Sequence, residues 1–361
     1  MNILFICGSA EPGKDGVGDY IRRLCGELSR MGHKAQMLSL CDKHADRFFT
    51  ETQWIEGCPV IVSRIPISSS HNLQMAWSHE ILEVAAVDWI SLQFVPYSFD
   101  SKGLPFWLPG FLNKLKGKHQ WHFMFHELWI GIEREATFKN KCVGFLQKRI
   151  IRKLEKSIAP KMVHTQSKIY QHYLSNMAIT SNYLPLFGNV SVTASKSENP
   201  EFIQIVVFAT IHDKAPFEDF IIDLKKELEY INKELKFVFM GRHGDLLGTW
   251  TTILDLYSIE YELLGVSSEE KISEILTNSD YGISSTPYKI SDKSGVLAAM
   301  HEHQLTIISV AKPWIDQEDI SVSFDDIIHY KKENLSLLKP PGTGTNSLSS
   351  VCDVFLKSIS N

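Results

Sequence analysis

The stretch DYGISSTPYKISDKSGVLAAMHEHQLTIIS, residues 280–309, indicates the fold more clearly than any other part of the chain. Its pattern predicts a strand, a polar loop, a turn at Ser294 and Gly295, an apolar helix and a second strand. Gly295 has no side chain, and the amides that follow it, beginning with Val296, are expected to point out of the helix start. Unpaired N–H groups and a positive dipole at such a start suit a phosphate or diphosphate, whereas the alternative is an ordinary turn capped by Ser294.

Strand-like and helix-like patterns alternate along both halves of the chain, which indicates parallel sheets with helices on both faces. A polar segment without periodicity, GNVSVTASKSENPE at residues 188–201, interrupts the alternation and reads as a linker. We therefore predict Rossmann-like domains at residues 1–187 and 202–345, and a helix within residues 346–361 that packs back toward the first domain. The predicted strands lie at residues 2–7, 34–40, 59–64, 87–94, 120–125, 161–166, 202–208, 235–240, 281–285 and 305–310.

A chain of 361 residues, 44% apolar and 22% charged, is long enough for two soluble globular domains. Its formal net charge of −5 argues against nucleic acid as a partner, because the phosphate backbone attracts a basic surface. The six cysteines show neither CxxC nor zinc-type spacing, which indicates free thiols in a reducing cytoplasm. No run of about 18 apolar residues is present, and the short apolar start reads as a first strand, so we expect a cytoplasmic protein.

A second glycine-rich turn, GSAEPGKDGVGDYIRRL at residues 8–24, crosses from the first strand to the first helix. Ligands of open α/β sheets bind at such crossings, so Gly16 and Val17 are candidates for a contact with the diphosphate. The spacing is not GxGxxG, and no acidic residue closes the predicted second strand, which disfavours a nicotinamide enzyme. A P-loop is excluded because GxxxxGK[ST] is absent. The alternative is a tight turn without a ligand.

The run GKDGVGDYIRRLCGELSRMGHKAQMLSL, residues 13–40, resembles the opening of GT-B-fold glycosyltransferases, in which a glycine-rich loop precedes the first helix. Similar blocks follow in the family's order at residues 124–129 (MFHELW), 263–287 (LLGVSSEEKISEILTNSDYGISSTP) and 293–309 (KSGVLAAMHEHQLTIIS). They most resemble the retaining enzymes of glycosyltransferase family 4, which build bacterial surface polysaccharides and related glycans. The resemblance implies an α/β protein of GT-B architecture, with two Rossmann-like domains facing a central cleft.

In this family the nucleotide-sugar donor binds to the second domain and the acceptor mainly to the first. The resemblance places Lys214 and Arg242, which follow strands of the second domain, on the donor diphosphate together with the helix start at Gly295. The alternatives are a solvated lysine and a surface arginine. The resemblance also assigns the nucleobase and ribose to a loop that is otherwise a strand-ending turn, formed by Leu264, Gly265 and Val266.

His126 ends a predicted strand within the HELW block, and the resemblance makes it the residue that faces the transferred sugar. A histidine donates hydrogen bonds to sugar hydroxyls, and its charge changes near neutral pH. Glu127 either orients His126, binds acceptor hydroxyls or caps the next helix, and His164 is a weaker candidate for the same contact as His126. Helix dipoles and basic side chains neutralise the diphosphate in such enzymes, so we expect no metal and no cofactor besides the nucleotide-sugar co-substrate.

One position departs from the family. Its members commonly carry two glutamates eight positions apart around the glycine of the helix turn, and counting from Gly295 places these at Asp292 and Met300. Asp292 keeps the first acid in a shorter form, but Met300 replaces the acid that binds the ribose in relatives. Glu302 lies two residues further on, about 200° around the helix, and does not simply substitute. The identity of the donor and the activity itself are therefore open at this point.

A basic face is predicted on the helix that contains KRIIRKLEK, residues 148–156. Its basic residues recur at every fourth position and therefore share one side of the helix. A solvated face is one interpretation, and docking to anionic lipid, which fits a lipid-linked acceptor, is the other. The residues of this face are Lys148, Arg149, Arg152, Lys153 and Lys156.

Together these features predict a retaining, metal-independent glycosyltransferase that moves a hexose from a nucleotide sugar to a glycan or lipid-linked glycan acceptor in bacterial surface polysaccharide synthesis. We expect it in the cytoplasm, with a peripheral contact at the inner face of the cell membrane. Three alternatives stay open: a nucleotide-sugar epimerase, a sugar phosphorylase, and a GT-B scaffold without catalytic activity.

Overall fold

The computed structural model describes residues 1–196, 202–229, 233–333, 335 and 347–360 of the chain. The chain divides into two compact units, and each is built on its own mainly parallel sheet with flanking helices. The first unit comprises Met1–Pro185, Asp316–Glu318 and Leu348–Asn361, and the second comprises Leu186–Ile315 and Asp319–Ser347.

One eight-stranded sheet, counted over the described residues, forms the core of the first unit. Its strands are β1 (Asn2–Cys7), β2 (Lys34–Asp42), β3 (Phe49–Ile55), β4 (Cys58–Pro66), β5 (Trp89–Phe94), β6 (Gln120–Phe125), β7 (Met162–Thr165) and β8 (Asn182–Tyr183). Their order is β3-β4-β2-β1-β5-β6-β7-β8, and every pair is parallel except β3 with β4. The helices of this unit are α1 (Gly16–Arg30), α2 (His71–Ala85), α3 (Pro96–Phe99), α4 (Leu108–Leu115), α5 (Phe138–Ile158), α6 (Lys168–Ser175) and α11 (Leu348–Ser360).

The central strands of this sheet are covered on both faces, which explains their nearly continuous apolar sequences. β1 reads NILFIC, and β5 reads WISLQF with every residue buried. Helix α1 buries one side against the sheet and gives way to a turn in which Gly32 adopts a φ of +86°. Glycine reaches this left-handed conformation without steric cost, so the helix ends there and the chain enters β2.

The sequence patterns missed both edge strands of this sheet, β8 and the longer β3. The chain leaves β3 through a tight turn. Glu56 and Gly57 join it to β4 in a two-residue turn, and both have a positive φ, +48° and +81°. Such turns have the twist that an antiparallel hairpin needs, but their usual sequences are Asn-Gly and Asp-Gly. A glutamate in the first position therefore gave no hairpin signal.

A six-stranded parallel sheet, again counted over the described residues, forms the core of the second unit. Its strands are β9 (Phe202–Phe208), β10 (Glu234–Met240), β11 (Glu260–Gly265), β12 (Tyr281–Ser284), β13 (Thr306–Ser309) and β14 (Ile327–His329), in the order β11-β10-β9-β12-β13-β14. The helices are α7 (Phe217–Glu227), α8 (Leu247–Leu256), α9 (Glu269–Asn278) and α10 (Gly295–Glu302), and a 3₁₀ helix (Tyr288–Lys293) precedes α10. One apolar core contains residues of α7 and α8 and a second contains residues of α9 and α10, so helices cover both faces.

The division between the units falls between Pro185 and Leu186, which is before the predicted linker at residues 188–201. Val190 is buried in an apolar core of the second unit, and the amide of Ser191 donates a hydrogen bond to Glu269 at 2.9 Å. These contacts hold the start of the predicted linker on the second unit. Residues 197–201 lie outside the described part of the chain.

Two later parts of the chain belong to the first unit. Helix α11 packs against α1, and Phe355 contacts Phe5 with 5.9 Å between ring centroids. The short segment Asp316–Glu318 was not predicted to return, and its Asp316 accepts a hydrogen bond from the hydroxyl of Tyr173 at 3.0 Å. The C-terminal helix of the chain is thus a component of the first unit.

Candidate functional site

His126 lies at the carboxyl edge of the first sheet, directly after β6, and its ring is held from both sides. Nε2 lies 2.7 Å from the side-chain oxygen of Gln93 on β5, and Nδ1 lies 3.0 Å from that of Gln166 after β7. Tyr20 of α1 packs edge-on against the ring, with 5.1 Å between centroids. The ends of β5, β6 and β7 meet because these strands are parallel neighbours. The two glutamines, rather than Glu127, therefore orient His126, and Glu127 is exposed.

A chain of buried hydrogen bonds continues from Gln93 into the sheet. Gln93 Nε2 donates to Ser91 Oγ at 2.7 Å, and that oxygen lies 2.7 Å from His122 Nδ1. His122 Nε2 lies 2.9 Å from His164 Nδ1. Burial and the neighbouring histidines hold the pKa of His122 well below its usual value, and burial lowers the pKa of His164 to about 4. Both rings are therefore neutral at pH 7, and His164 is a buried residue that packs near Phe355.

The start of α1 holds a carboxylate where the sequence predicted a phosphate. Asp15 is the N-cap, and its carboxylate accepts hydrogen bonds from the amides of Val17 and of Gly18, the latter at 2.8 Å. Burial raises the pKa of Asp15, because the carboxylate is poorly solvated. Asp19, also in the first turn, pairs with Arg22, which offsets its charge. The diphosphate contact at Gly16 and Val17 stays a prediction, and the carboxylate of Asp15 opposes it.

Asp42 is a buried acid at the end of β2, so the expectation that no acid closes this strand is wrong. Arg64 of β4 donates to it through Nε at 2.9 Å and Nη2 at 3.1 Å, and the amide of Ala10 donates at 3.0 Å. Burial opposes ionisation, but the hydrogen bonds from Arg64 and from backbone amides hold the pKa of Asp42 below its usual value. Asp42 therefore anchors the loop between β1 and α1 through the amide of Ala10. Both of its carboxylate oxygens already accept hydrogen bonds from Arg64.

The start of α10 differs from that of α1 in charge. Ser294 is the N-cap, and its Oγ accepts a hydrogen bond from the amide of Leu297 at 3.4 Å. The first turn has no acidic residue. A Cβ at Gly295 would meet no described heavy atom within 4 Å, so this glycine borders open space. Residues 294–296 thus combine a neutral cap, the first amides of a helix and an accessible surface.

The other residues predicted for the donor follow neighbouring strands of the second sheet. Lys214 lies in the loop after β9, Arg242 follows β10, and both are exposed. Leu264 and Gly265 end β11, and Val266 follows them. Since β11, β10, β9 and β12 are parallel neighbours in this order, all these positions lie along one edge of the sheet, with the start of α10 after β12.

Met300 belongs to an apolar core of the second unit and is completely buried. Its sulfur lies 2.7 Å from where a Cβ on Gly282 would be, so it packs directly against β12. This side of α10 faces the sheet, and an acid there would lie in apolar surroundings. Glu302 does not take its place, because its carboxylate lies against the chain at Gly188.

Two features are absent from the described part of the chain. No helix there combines the length and apolar character that crossing a bilayer requires. No three His, Cys, Asp or Glu side chains there gather as ligands for a metal ion.

No family model matches the chain, and no curated protein sequence matches it. Solved structures identify the class of fold, which is that of GT-B proteins with two parallel-sheet units. HepE of Anabaena in complex with UDP superposes with a TM-score of 0.53 at 12% identity, over 99% of this chain and 91% of HepE. HepE with UDP and glucose gives a TM-score of 0.51 at 13% identity, over 100% and 91% of the two chains. A putative UDP-N-acetylglucosamine 2-epimerase from Listeria monocytogenes gives 0.52 at 8% identity, over 99% and 95%.

At these identities the likeness shows the fold alone. The predicted class, α/β with two Rossmann-like domains of GT-B type, is confirmed. The resemblance to glycosyltransferase family 4, the retaining mechanism and the role of each predicted residue are finer than a shared fold, and they belong to the proposal that follows.

Proposed function

We propose that this protein is a retaining glycosyltransferase of family 4 type, which transfers a hexose from a nucleotide sugar to a glycan or lipid-linked glycan acceptor. Two observations support the proposal. The fold matches that of HepE, which has been solved with UDP and glucose. The residues predicted for the donor lie along one edge of the second sheet. Such an enzyme would act in the cytoplasm on bacterial surface polysaccharide.

The observation that carries the proposal is the acid-free start of α10. When a sugar leaves a nucleoside diphosphate, negative charge grows on the diphosphate oxygens, and preorganised N–H groups and cations stabilise that charge. Ser294 caps the helix with a neutral hydroxyl, and Gly295 leaves the approach open. Lys214 and Arg242, after neighbouring strands, supply positive charge, so the proposed mechanism needs no metal ion.

In this proposal the side chain of His126 positions the backbone and does not contact the sugar itself. Both ring nitrogens are engaged by Gln93 and Gln166, which leaves neither nitrogen for a sugar hydroxyl. The contact of His126 with the transferred sugar is therefore assigned to its backbone, and the ring holds that backbone at the end of β6. The exposed Glu127 is assigned to the acceptor hydroxyls.

Hydrolysis of nucleotide sugars tests the proposal, because a glycosyltransferase without an acceptor transfers sugar slowly to water. The protein is incubated with UDP-, GDP-, ADP- and dTDP-linked hexoses, and the release of nucleoside diphosphate is followed. We expect release from one base series and a higher Tm with the matching nucleotide, because a ligand of the folded state stabilises it. Neither release nor a change in Tm with any nucleotide would rule the transferase out.

We also propose that the exposed side of α5 contacts an anionic membrane surface. Phe138 and Phe145 on this helix are 83% and 54% exposed, and such rings insert at the boundary between headgroups and acyl chains. Basic side chains add about 1 kcal/mol each near an anionic surface. This contact would bring the protein to a lipid-linked acceptor. Against one acid, Glu155, the helix carries Lys139, Lys141, Lys148, Arg149, Arg152, Lys153 and Lys156.

A nucleotide-sugar epimerase is the second candidate, because the fold also matches the putative UDP-N-acetylglucosamine 2-epimerase from Listeria monocytogenes. Epimerisation at C2 removes and returns the proton of that carbon. In deuterium oxide an epimerase therefore places deuterium at C2 of UDP-N-acetylglucosamine, whereas a transferase leaves the C–H bond intact. NMR of the incubated nucleotide sugar distinguishes the two.

A further inference from the structure

A cavity of about 490 Å³ lies within the second unit. It opens among the loop after β9, the 3₁₀ helix before α10, the segment after β13 and the end of β14. Small-molecule sites have volumes of about 300–1,000 Å³, and α/β proteins bind ligands at the carboxyl ends of their strands. Of the residues predicted for the donor, only Lys214 is in the described wall of this cavity.

The wall of the cavity is positively charged. Over the described residues it carries five lysines and one carboxylate, Asp319, although the whole chain has a net charge of −5. Asp319 pairs with Lys289 at 2.8 Å, and Lys332 pairs with Asp219, outside the wall, at 2.7 Å. Beyond these two pairs, Lys214 and Lys331 give the wall positive charge, which attracts an anion.

One side of the cavity is a fixed aromatic surface. Tyr288 and His329 stack with 4.1 Å between centroids and an interplanar angle of 4°. The hydroxyl of Tyr288 is hydrogen bonded to both the carbonyl and the amide of Phe324, which holds the ring in place. Burial, with a contribution from Lys331, lowers the pKa of His329, so this ring is neutral at pH 7 and adds no charge to the wall. The half-buried Trp314 adds a further ring.

We propose that this cavity binds an organic phosphate whose ring or apolar part packs on the aromatic surface while its phosphate contacts the lysines. Ammonium groups bind phosphate as point charges, and aromatic rings pack well on flat or apolar groups. A neutral sugar would make no ionic contact with the lysines. Inorganic phosphate has no ring or apolar part that could pack on the aromatic side chains. The site is additional to the proposed donor contacts, because Ser294, Gly295 and Arg242 are not in its described wall.

Calorimetric titration of the whole chain separates the two sites. UDP, geranyl diphosphate and inorganic pyrophosphate are the probes for a nucleotide, a lipid diphosphate and a phosphate without a ring. Gly295→Val fills the open space at the proposed donor position and leaves the cavity wall intact. The double variant Trp314→Ala/Lys331→Ala changes only the cavity wall, and Lys271→Ala, on α9 and outside that wall, is the control. Thermal unfolding confirms that each variant is folded.

We expect the Gly295→Val protein to bind UDP or geranyl diphosphate, and the tighter of the two identifies the ligand as a nucleotide or a lipid. Adding the double substitution to Gly295→Val should weaken this binding by about tenfold or more, since a charge-assisted contact and a stacked ring are both lost. Lys271→Ala should change nothing.

Three results would overturn the cavity site. The first is that neither organic probe binds the Gly295→Val protein. The second is that the double substitution leaves the affinity unchanged, and the third is that pyrophosphate binds as tightly as both organic probes. If cavity binding persists in the Gly295→Val protein while the wild-type protein hydrolyses no nucleotide sugar, the transferase is contradicted and the cavity site stands.

Discussion

Asp15 caps helix α1 in the first unit and Ser294 caps helix α10 in the second, and both helices begin at the carboxyl edge of a parallel sheet. The carboxylate of Asp15 takes the amides of Val17 and Gly18, whereas the hydroxyl of Ser294 adds no charge. At the carboxyl edge of the first sheet (the first edge), the helix start is thus occupied by a side chain of the protein itself. At the carboxyl edge of the second sheet (the second edge), the helix start is open. Both helix starts have a dipole that could attract an anion. The charge of the N-cap residue distinguishes them, because a carboxylate repels an anion and a hydroxyl does not.

The largest expected effect comes from placing a side chain at each helix start. A Cβ at Gly295 or at Gly16 would meet no described heavy atom within 4 Å, so a valine fits at either position. We expect Gly295→Val to lower nucleotide-sugar hydrolysis by about 100-fold or more, the size of effect seen when one preorganised donor to a developing anion is lost. Gly16→Val should leave it nearly unchanged. Steady-state release of nucleoside diphosphate measures both.

Gly248→Val is the matched control for these variants. Gly248 lies near the start of α8 in the second unit, and a Cβ there also meets no described heavy atom within 4 Å. Its hydrolysis rate should equal that of the wild type. Equal losses in the Gly295→Val and Gly16→Val proteins would remove the distinction between the two edges.

The next largest effect is expected on the stability of the protein at acidic pH, because the first sheet contains the buried neutral histidines His122 and His164. The pKa of His164 is about 4 in the folded protein, compared with about 6.5 in an unfolded chain. As the pH falls below about 6.5, the unfolded chain binds a proton that the folded protein does not, so stability decreases until the pH reaches about 4. From pH 7 to pH 5 we expect a loss of about 2 kcal/mol from His164 in the free energy of unfolding. Urea unfolding at the two pH values measures it.

The variant His164→Gln should lose this part of the pH dependence, and His79→Gln, at an exposed position of α2, should keep it. If the stability of His164→Gln protein falls with pH as steeply as that of the wild type, another group is responsible.

Removal of one lysine from each edge should have a smaller effect. Lys214 follows β9 and Lys14 follows β1, and both are exposed in loops that lead into the next helix. A hydrogen bond to a charged group contributes about 1.5–3 kcal/mol, so Lys214→Ala should raise the Kd for the donor by about tenfold or more. Lys14→Ala should leave the Kd unchanged. Calorimetry with the donor nucleotide measures both, and an equal change in the two variants would count against the second edge as the donor site.

The smallest effect is expected on α5, which carries seven basic residues and one acid. Arg152→Gln should weaken binding to vesicles that contain anionic lipid by about fivefold, since one basic residue near such a surface contributes about 1 kcal/mol. Lys271→Gln in the second unit is the matched control. Co-sedimentation with anionic and with zwitterionic vesicles measures the effect, and equal binding to both vesicles would contradict the membrane contact.

The inner strands of the two sheets could be predicted because buried parallel strands are continuous apolar runs, as in β1 and β9. Two features of the first sheet could not be predicted from the local sequence. The edge strand β3 turns through Glu56-Gly57, which lacks the usual hairpin residues. Asp42 reads as the start of a loop until its partner is known, and Arg64 lies 22 positions further along the chain.

The geometry at the start of α10 was predictable only in part. A glycine after a strand predicts an open helix start, and Gly295 provides one. Counting along the chain to Met300 could not show which way that residue points, because the rotation of α10 depends on its packing against Gly282. That Asp15 fills the start of α1 was readable from the sequence, because an aspartate directly before a helix is a favoured N-cap, but the prediction followed the glycines of this turn instead.

Amide hydrogen exchange in the presence of the nucleoside diphosphate of the preferred donor tests the central claim most directly, because it reports on both helix starts in one sample. The nucleotide should slow exchange at residues 295–297, the first turn of α10, and leave residues 16–18, the first turn of α1, unchanged. Protection at the start of α1 without protection at the start of α10 would contradict the account.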